Sequence, residues 1–224
     1  AEDYYTHIAT TGFYDMQLNN EVDWGAKGRY STELFAERAI DVLQNHAKQH
    51  PGIPLYMYLT FQAMHSPLEA PAYWINKFLH ISDKNRRTVA AMVACLDSGI
   101  ENVTKALKNL GMATNTTLIF HTDNGGPANG FNGNMASNMP LRGRKASVHE
   151  GGVRGVALIH GAGLKKKGYV NYQLIHVSDW YFSLPTLAAR GLDSDEEDKE
   201  LHTRLGEWLA DQPPFLPGDG MDVW

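Results

Sequence analysis

A short polar stretch, Thr122–Gly126 (TDNGG), directly follows a run of apolar and β-branched residues, Thr117–His121. The run predicts a strand, so Asp123 and Asn124 lie where a strand passes into a loop. In open α/β sheets, ligands bind outside the carboxyl ends of the strands. A carboxylate and an adjacent amide supply two hard oxygen donors, which suit Ca²⁺ or Mg²⁺. The alternative is an ordinary Asn-Gly turn with Asp123 as a local cap, because these residues dominate turns for conformational reasons alone.

Two more side chains could act beside this loop. Lys145 follows in a basic segment, and a cation beside a metal-binding loop suggests that both hold an anionic substrate. His65 comes after Leu55–Phe61, a continuous apolar and aromatic run that predicts a strand buried on both faces. His65 then shares the predicted sheet edge with Asp123. That shared edge makes a functional role credible for a residue that is otherwise often a structural histidine.

Other reactive side chains have weaker patterns. Arg142 and Arg144 could contact the substrate or could pair with nearby acids, and the sequence leaves both alternatives open. Cys95 lies beside the apolar stripe of a predicted helix, with no base or carboxylate placed to activate it. We therefore expect Cys95 to pack in the core rather than act as a nucleophile.

Helical and extended patterns alternate along the chain, which predicts an α/β fold. Apolar spacing of three and four predicts three long helices, and a short amphipathic one follows Ser194. The long helices are predicted at Thr32–His46 with Ser31 as the N-cap, at Lys84–Leu110, and from Ser178 to about Ala189. A further buried strand is predicted at Val153–Ile159.

Composition excludes several classes of protein. The 224 residues suffice for one large domain or two small ones, with 43% hydrophobic and 20% charged residues. A formal net charge of −5 gives no reason to expect a nucleic-acid partner, and no apolar stretch has membrane-spanning length. N-glycosylation sequons at Asn102 and Asn115 permit a secretory setting.

Several of these segments together resemble the sulfatase family, and most closely its arylsulfatase B branch, the N-acetylgalactosamine 4-sulfatases. The principal matching segments are Thr122–Gly126, Leu141–Lys145 and Glu150–Gly155, supported by Tyr30–Thr32, His65–Leu68, Asp83–Arg86, Leu174–Trp180 and Asp219–Trp224. The resemblance implies an alkaline-phosphatase-like fold, in which a mixed, mostly parallel sheet is flanked by helices.

The resemblance also implies roles for single residues. Asp123 and Asn124 would be two ligands of an active-site Ca²⁺. Lys145 and His65 would bind the sulfate oxygens, and one or both would assist departure of the alcohol as acids. A divalent cation and an ammonium stabilise the charge that builds up on the leaving oxygen, and histidine can supply a proton near neutral pH.

The chain departs from the family pattern in what it lacks. Sulfatases use a formylglycine nucleophile made within a Cys/Ser-x-Pro/Ala-x-Arg motif, which this sequence does not contain. The family's adjacent pair of metal-binding aspartates is also missing. We therefore expect residues 1–224 to be the middle and later part of one sulfatase catalytic domain, without its N-terminal part and its C-terminal subdomain.

The resemblance gives expectations for the whole protein. Its longer parent would be a Ca²⁺-dependent sulfuric ester hydrolase, lysosomal or secreted, acting on a sulfated small molecule or glycan. The alternative is an inactive truncated homologue that binds sulfated glycans without catalysis. A phosphodiesterase of the wider alkaline-phosphatase-like group is disfavoured, because such metal sites use more His and Asp ligands than these motifs provide.

Overall fold

A computed structural model describes residues 3–130, 135–164 and 166–190 of the chain. The strands are β1 (Gln17–Leu18), β2 (Glu21–Val22), β3 (Thr117–His121) and β4 (Ala157–Gly161). The α-helices are α1 (Ser31–Gln49), α2 (Ala72–Ile75), α3 (Lys84–Asn109), α4 (Glu150–Val153) and α5 (Asp179–Arg190), with 3₁₀ turns at Trp24–Ala26, Asn76–Phe78 and Ala113–Asn115.

The two long helices α1 and α3 pack on each other and form the main apolar core. Leu43 of α1 and Leu107 of α3 are both almost fully buried in this cluster. Both helices confirm the predicted periodicity and extend to within three residues of the predicted ends. The capping residue of α1 was predicted wrongly. Tyr30 holds the N-cap position, and Ser31 is buried in the first turn, where its hydroxyl donates to Gln62 Oε1 at 3.0 Å.

The segment Leu55–Phe61 is not the doubly buried strand that its apolar run predicts. The segment is assigned to no strand, and its side chains alternate between the core and the surface. Met57, Leu59 and Phe61 pack against the cluster between α1 and α3. The alternate residue Tyr58 is 72% exposed. One covered face accounts for the alternation, because successive side chains of an extended chain point to opposite sides.

Strands β3 and β4 form the sheet that leads to the Asp123 loop. At one end Thr122 N–H donates to Val156 O at 2.9 Å, and at the other Ala162 N–H donates to Thr116 O at 3.0 Å. These pairings make the two strands antiparallel. β3 occupies the predicted residues, whereas β4 begins later than predicted, after the helical turn α4 at Glu150–Val153. The prediction that this strand is buried was wrong, since Val156 and Leu158 are 66% and 57% exposed.

The chain divides into two compact units. The first contains Ala1–Thr114 and Ile119–Leu158, and the second contains Asn115–Leu118 and the chain from Ile159 onward. In the second unit, α5 confirms the helix predicted from Ser178.

The start of α5 is held by a side chain, since Asp179 Oδ2 accepts the N–H of His176 at 2.7 Å. The short helix predicted after Ser194 lies outside the described residues. No helix in the described ranges is both long and apolar enough to cross a bilayer.

Candidate functional site

The end of β3 places Asp123 and Asn124 at the surface. Thr122 is held by two hydrogen bonds with Val156. Its N–H donates to Val156 O at 2.9 Å, and its Oγ1 accepts the N–H of Val156 at 2.9 Å. Asp123, the next residue, is exposed. Asn124 is half-buried, and its Nδ2 donates to Gly125 O at 2.8 Å. With the amide nitrogen used in this bond, the amide oxygen is the atom that Asn124 can offer to a cation.

A second loop, residues 138–152, is hydrogen-bonded to the loop that carries Asp123. Gly125 N–H donates to Gly152 O at 2.9 Å, and Lys145 N–H donates to Gly126 O at 3.1 Å. The N–H of Lys145 is thus hydrogen-bonded to Gly126, a residue only two positions after Asn124. The structure therefore joins the segments of three predicted site residues, although they are separated by about twenty positions in sequence.

Glycines allow the two loops to approach this closely. A Cβ placed on Gly125 would lie 2.1 Å from Gly151 O of the second loop. Within the second loop, a Cβ on Gly152 would lie 2.3 Å from Ser147 O. Contacts below 3.0 Å are essentially never made by real Cβ atoms. From the sequence, the Gly125–Gly126 pair is a turn signal. The structure adds a second reason, since the backbones pack where a side chain would stand.

His65 lies on a separate turn of the same unit. Its ring Nδ1 donates to Ser66 O at 2.8 Å, and its carbonyl oxygen accepts the hydroxyl of buried Tyr4 at 2.9 Å. Among the described residues, no hydrogen bond joins His65 to the loops of Asp123 and Lys145. The ring is exposed, and the bond to Ser66 puts a proton on Nδ1. Its Nε2 is then the atom available to a substrate.

The two arginines contribute main-chain groups to the second loop. Arg142 O accepts the N–H of Gly151 at 2.8 Å, and Arg144 N–H donates to Ser147 Oγ at 3.1 Å. Their position is therefore fixed beside Lys145. Whether their side chains contact substrate stays open.

The donor atoms of Asp123 and Asn124 fit a hard cation in kind but not in number. Ca²⁺ takes six to eight oxygen ligands, and these two residues supply a carboxylate and an amide oxygen. Within the described part of the chain, no group of three or more His, Cys, Asp and Glu residues could hold a metal ion. A Ca²⁺ bound at this loop would therefore need most of its ligands from other sources.

Cys95 is confirmed as a core residue. It is 2% exposed and packs with Tyr4, Tyr30 and Met92. Burial raises the pKa of its thiol to about 12, with a smaller contribution from the negative charge of Glu33. A thiol in this state is a poor nucleophile, because the thiolate is the reactive form.

Both sequon asparagines lie on the surface. Asn102 is exposed on α3, and Asn115 is exposed in the 3₁₀ turn before β3. Exposure is required for a glycan to be accommodated, so both positions stay compatible with the predicted modification.

Sequence reasoning missed two residues that hold the site segments. Tyr4 fixes the turn of His65 from a position more than sixty residues earlier in the chain. Asn138 bonds through its side chain to both Gly126 and Gly143. Neither residue type carries a pattern that points to such a contact. Asn138 lies at the end of a long Gly/Asn-rich loop, and that loop was the only available signal.

The chain is similar in sequence to known sulfatases. Residues 1–189 match the family model Sulfatase. The chain is 41% identical over 199 residues to Arylsulfatase J of Mus musculus, covering 86% of the chain and 32% of that protein. It is 29% identical over 225 residues to N-acetylgalactosamine-6-sulfatase of Homo sapiens, covering 91% of the chain and 41% of that protein. The chain thus spans between about a third and two fifths of these relatives.

The fold is also shared with solved structures. The crystal structure of Ps i-CgsB in complex with k-i-k-neocarrahexaose matches with a TM-score of 0.63 at 25% identity, over 72% of this chain and 38% of that one. The expected alkaline-phosphatase-like α/β fold is confirmed by this likeness, for a partial domain. The strand-end loop and its Lys145 neighbour lie within the matched residues, and the chain belongs to the sulfatase family.

Proposed function

We propose that this chain is part of a longer sulfatase that hydrolyses sulfate esters with the aid of Ca²⁺, and that it carries half of the active site. The observation that carries the proposal is the direct hydrogen bonding between the loop of Asp123 and Asn124 and the loop of Lys145. Two hard oxygen donors and an ammonium group on adjoining loops suit a cation and a bound anion.

Each residue has a distinct part in the proposed reaction. Asp123 and Asn124 would be two of the ligands of a Ca²⁺ ion, and that ion would supply positive charge beside the sulfuryl oxygens. Lys145 binds a sulfate oxygen and stabilises the negative charge on the leaving oxygen. His65 presents Nε2 to the substrate and, when protonated, donates a proton to the alcohol as the ester S–O bond breaks. The bond to Ser66 supports this role because it sets the orientation of the ring. The sulfuryl group would pass to the formylglycine nucleophile that we expect in the longer parent.

A sulfated glycan is the substrate class that we propose. Two similar proteins support this substrate class. One relative is an N-acetylgalactosamine-6-sulfatase, and one structural neighbour is in complex with an oligosaccharide. The N-acetylgalactosamine 4-sulfate specificity expected from the sequence remains one proposal within this class. We also propose passage through the secretory pathway to a lysosomal or secreted location, with glycans on the exposed Asn102 and Asn115.

A lysine substitution in the full-length parent tests the proposed function. Lys145→Ala should reduce kcat for p-nitrophenyl sulfate by about 100- to 1,000-fold, the usual effect of removing a group that stabilises developing charge. Lys105→Ala is the matched control, because Lys105 is an exposed lysine that pairs only with Glu101 on the surface of α3. An unchanged rate in Lys145→Ala would remove this residue from the mechanism and refute the proposed site.

The competing proposal is a homologue that binds sulfated glycans without hydrolysis. Two observations favour it: these 224 residues contain no formylglycine motif, and Cys95 is buried. Sulfate release by the full-length parent decides between the two. Binding of a sulfated glycan by that parent without any sulfate release would support the competing proposal.

A further inference from the structure

We propose that Asn138 is a positioning residue of the sulfatase site, whose side chain sets the distance between the cation-binding loop and Lys145. The inference rests on the proposed function. It adds a residue that does not touch the substrate and that the sequence did not single out.

Asn138 makes three hydrogen bonds with one side chain. Its Oδ1 accepts the N–H of Gly126 at 2.9 Å, and its Nδ2 donates to Gly126 O at 2.8 Å. The same Nδ2 donates to Gly143 O at 3.2 Å. The amide thus pairs with both main-chain groups of one glycine and bridges to a second.

These bonds lie between the groups that the proposed reaction uses. Gly126 follows Asn124 by two positions, and Gly143 precedes Lys145 by two. Gly126 O also accepts the N–H of Lys145 at 3.1 Å, so one carbonyl receives donors from Asn138 and Lys145 together. Movement of the Asn138 side chain would therefore change the separation of the two loops.

The amide of Asn138 matches the main-chain groups that it meets. An acceptor and a donor on one planar amide match the adjacent N–H and C=O of a single residue. Aspartate would keep the acceptor but would place an oxygen against the carbonyls of Gly126 and Gly143, which repels. Asn138 approaches Gly126 closely, because a Cβ on Gly126 would lie 2.9 Å from Asn138 Oδ1 and 2.6 Å from the Cβ of Ala136.

The test uses the full-length parent with Asn138→Asp and Asn138→Ala. We expect kcat for p-nitrophenyl sulfate to fall by about 10- to 100-fold, the usual effect of losing a group that orients metal ligands. We also expect half-maximal activity to require about 10-fold more Ca²⁺, and the Kd for Ca²⁺ measured by calorimetry without substrate to rise by the same factor. KM measured at saturating Ca²⁺ should change less than kcat. Asn45→Ala on the exposed face of α1 is the matched control and should change neither quantity.

Folding is measured on the same samples, and rates are normalised to the folded fraction obtained by thermal unfolding. A folded variant with unchanged kcat and unchanged Ca²⁺ requirement overturns the proposal. Failure of both variants to fold also overturns it, because Asn138 would then be a structural residue only. If Lys145→Ala lowers the rate and the Asn138 variants do not, the proposed function stands without this inference. If Lys145→Ala leaves kcat unchanged, the proposed function itself is refuted.

Discussion

At the scale of single residues, environment rather than residue type decides which side chains can react. His65 and Cys95 are both nucleophilic or acid–base groups in principle. His65 is exposed with its ring oriented by Ser66, whereas Cys95 is enclosed by aromatic and apolar side chains. The first is therefore available to a substrate, and the second is not.

Cys95 should resist alkylation in the folded protein. With the pKa of its thiol raised by burial to about 12, only about one molecule in 10⁴ carries a thiolate at pH 8. Iodoacetamide should leave Cys95 unmodified in native protein and should label it fully in urea, as read by mass spectrometry. Rapid native labelling at the rate of free cysteine would show that the thiol is accessible.

At the scale of elements, two glycine-rich loops form the candidate site because their backbones are in direct contact. The Gly125 backbone lies against α4, and a Cβ on Gly125 would clash with Gly151 O. α4 itself is only Glu150–Val153, so its placement depends on these contacts rather than on helix propensity. The short helical turn also delays the start of β4 relative to the apolar pattern.

Gly125→Ala should destabilise the protein by about 3 kcal/mol, at the upper end of overpacking effects. The added carbon would meet backbone, which cannot move away as a flexible side chain can. Gly99→Ala, inside α3, is the matched control, since its Cβ would make an ordinary contact at 3.4 Å with the Cβ of Ala36 in α1. That control should be neutral or stabilising by up to about 1 kcal/mol, because alanine favours the helix.

Urea unfolding followed by circular dichroism measures both glycine variants. Equal stability of Gly125→Ala and the unchanged protein would show that the two loops are not in close contact.

At the scale of the whole molecule, the proposed function assigns to this chain only part of an active site. It spans 32% of Arylsulfatase J of Mus musculus. In the proposed site, Asp123 and Asn124 would supply two oxygen donors to a Ca²⁺ ion, which takes six to eight. The outward face of the segment Leu55–Phe61 is exposed, with Tyr56 and Tyr58 each at 72%. Exposed apolar faces mark surfaces on which a partner or a ligand binds.

The purified 224-residue chain should therefore release no sulfate from p-nitrophenyl sulfate above the buffer rate, with or without Ca²⁺. Groups that act as a unit lose their effect together when the nucleophile is absent. The full-length parent, assayed at the same molar concentration, is the positive control. Robust sulfate release by the chain alone would contradict the division of the site that we propose.

Much of the local structure could be read from the sequence because its signals are local. The apolar spacing in α1 and α3 and the β-branched run of β3 predicted elements that the structure confirms. The residue types of Asp123 and Lys145 indicated hard-cation and anion chemistry before any fold was known. Those roles remain predictions, whereas the position of Asp123 directly after a strand is confirmed.

Tertiary structure alone decided which of these segments meet. The bonds from Asn138 to Gly126 and Gly143, and from Tyr4 to the His65 turn, join residues whose separation in sequence follows no period. The one-sided burial of Leu55–Phe61 likewise depends on which surfaces lie beside it. Periodic patterns encode the face that an element buries, but the partner of that face is set by three-dimensional packing, which no local pattern contains.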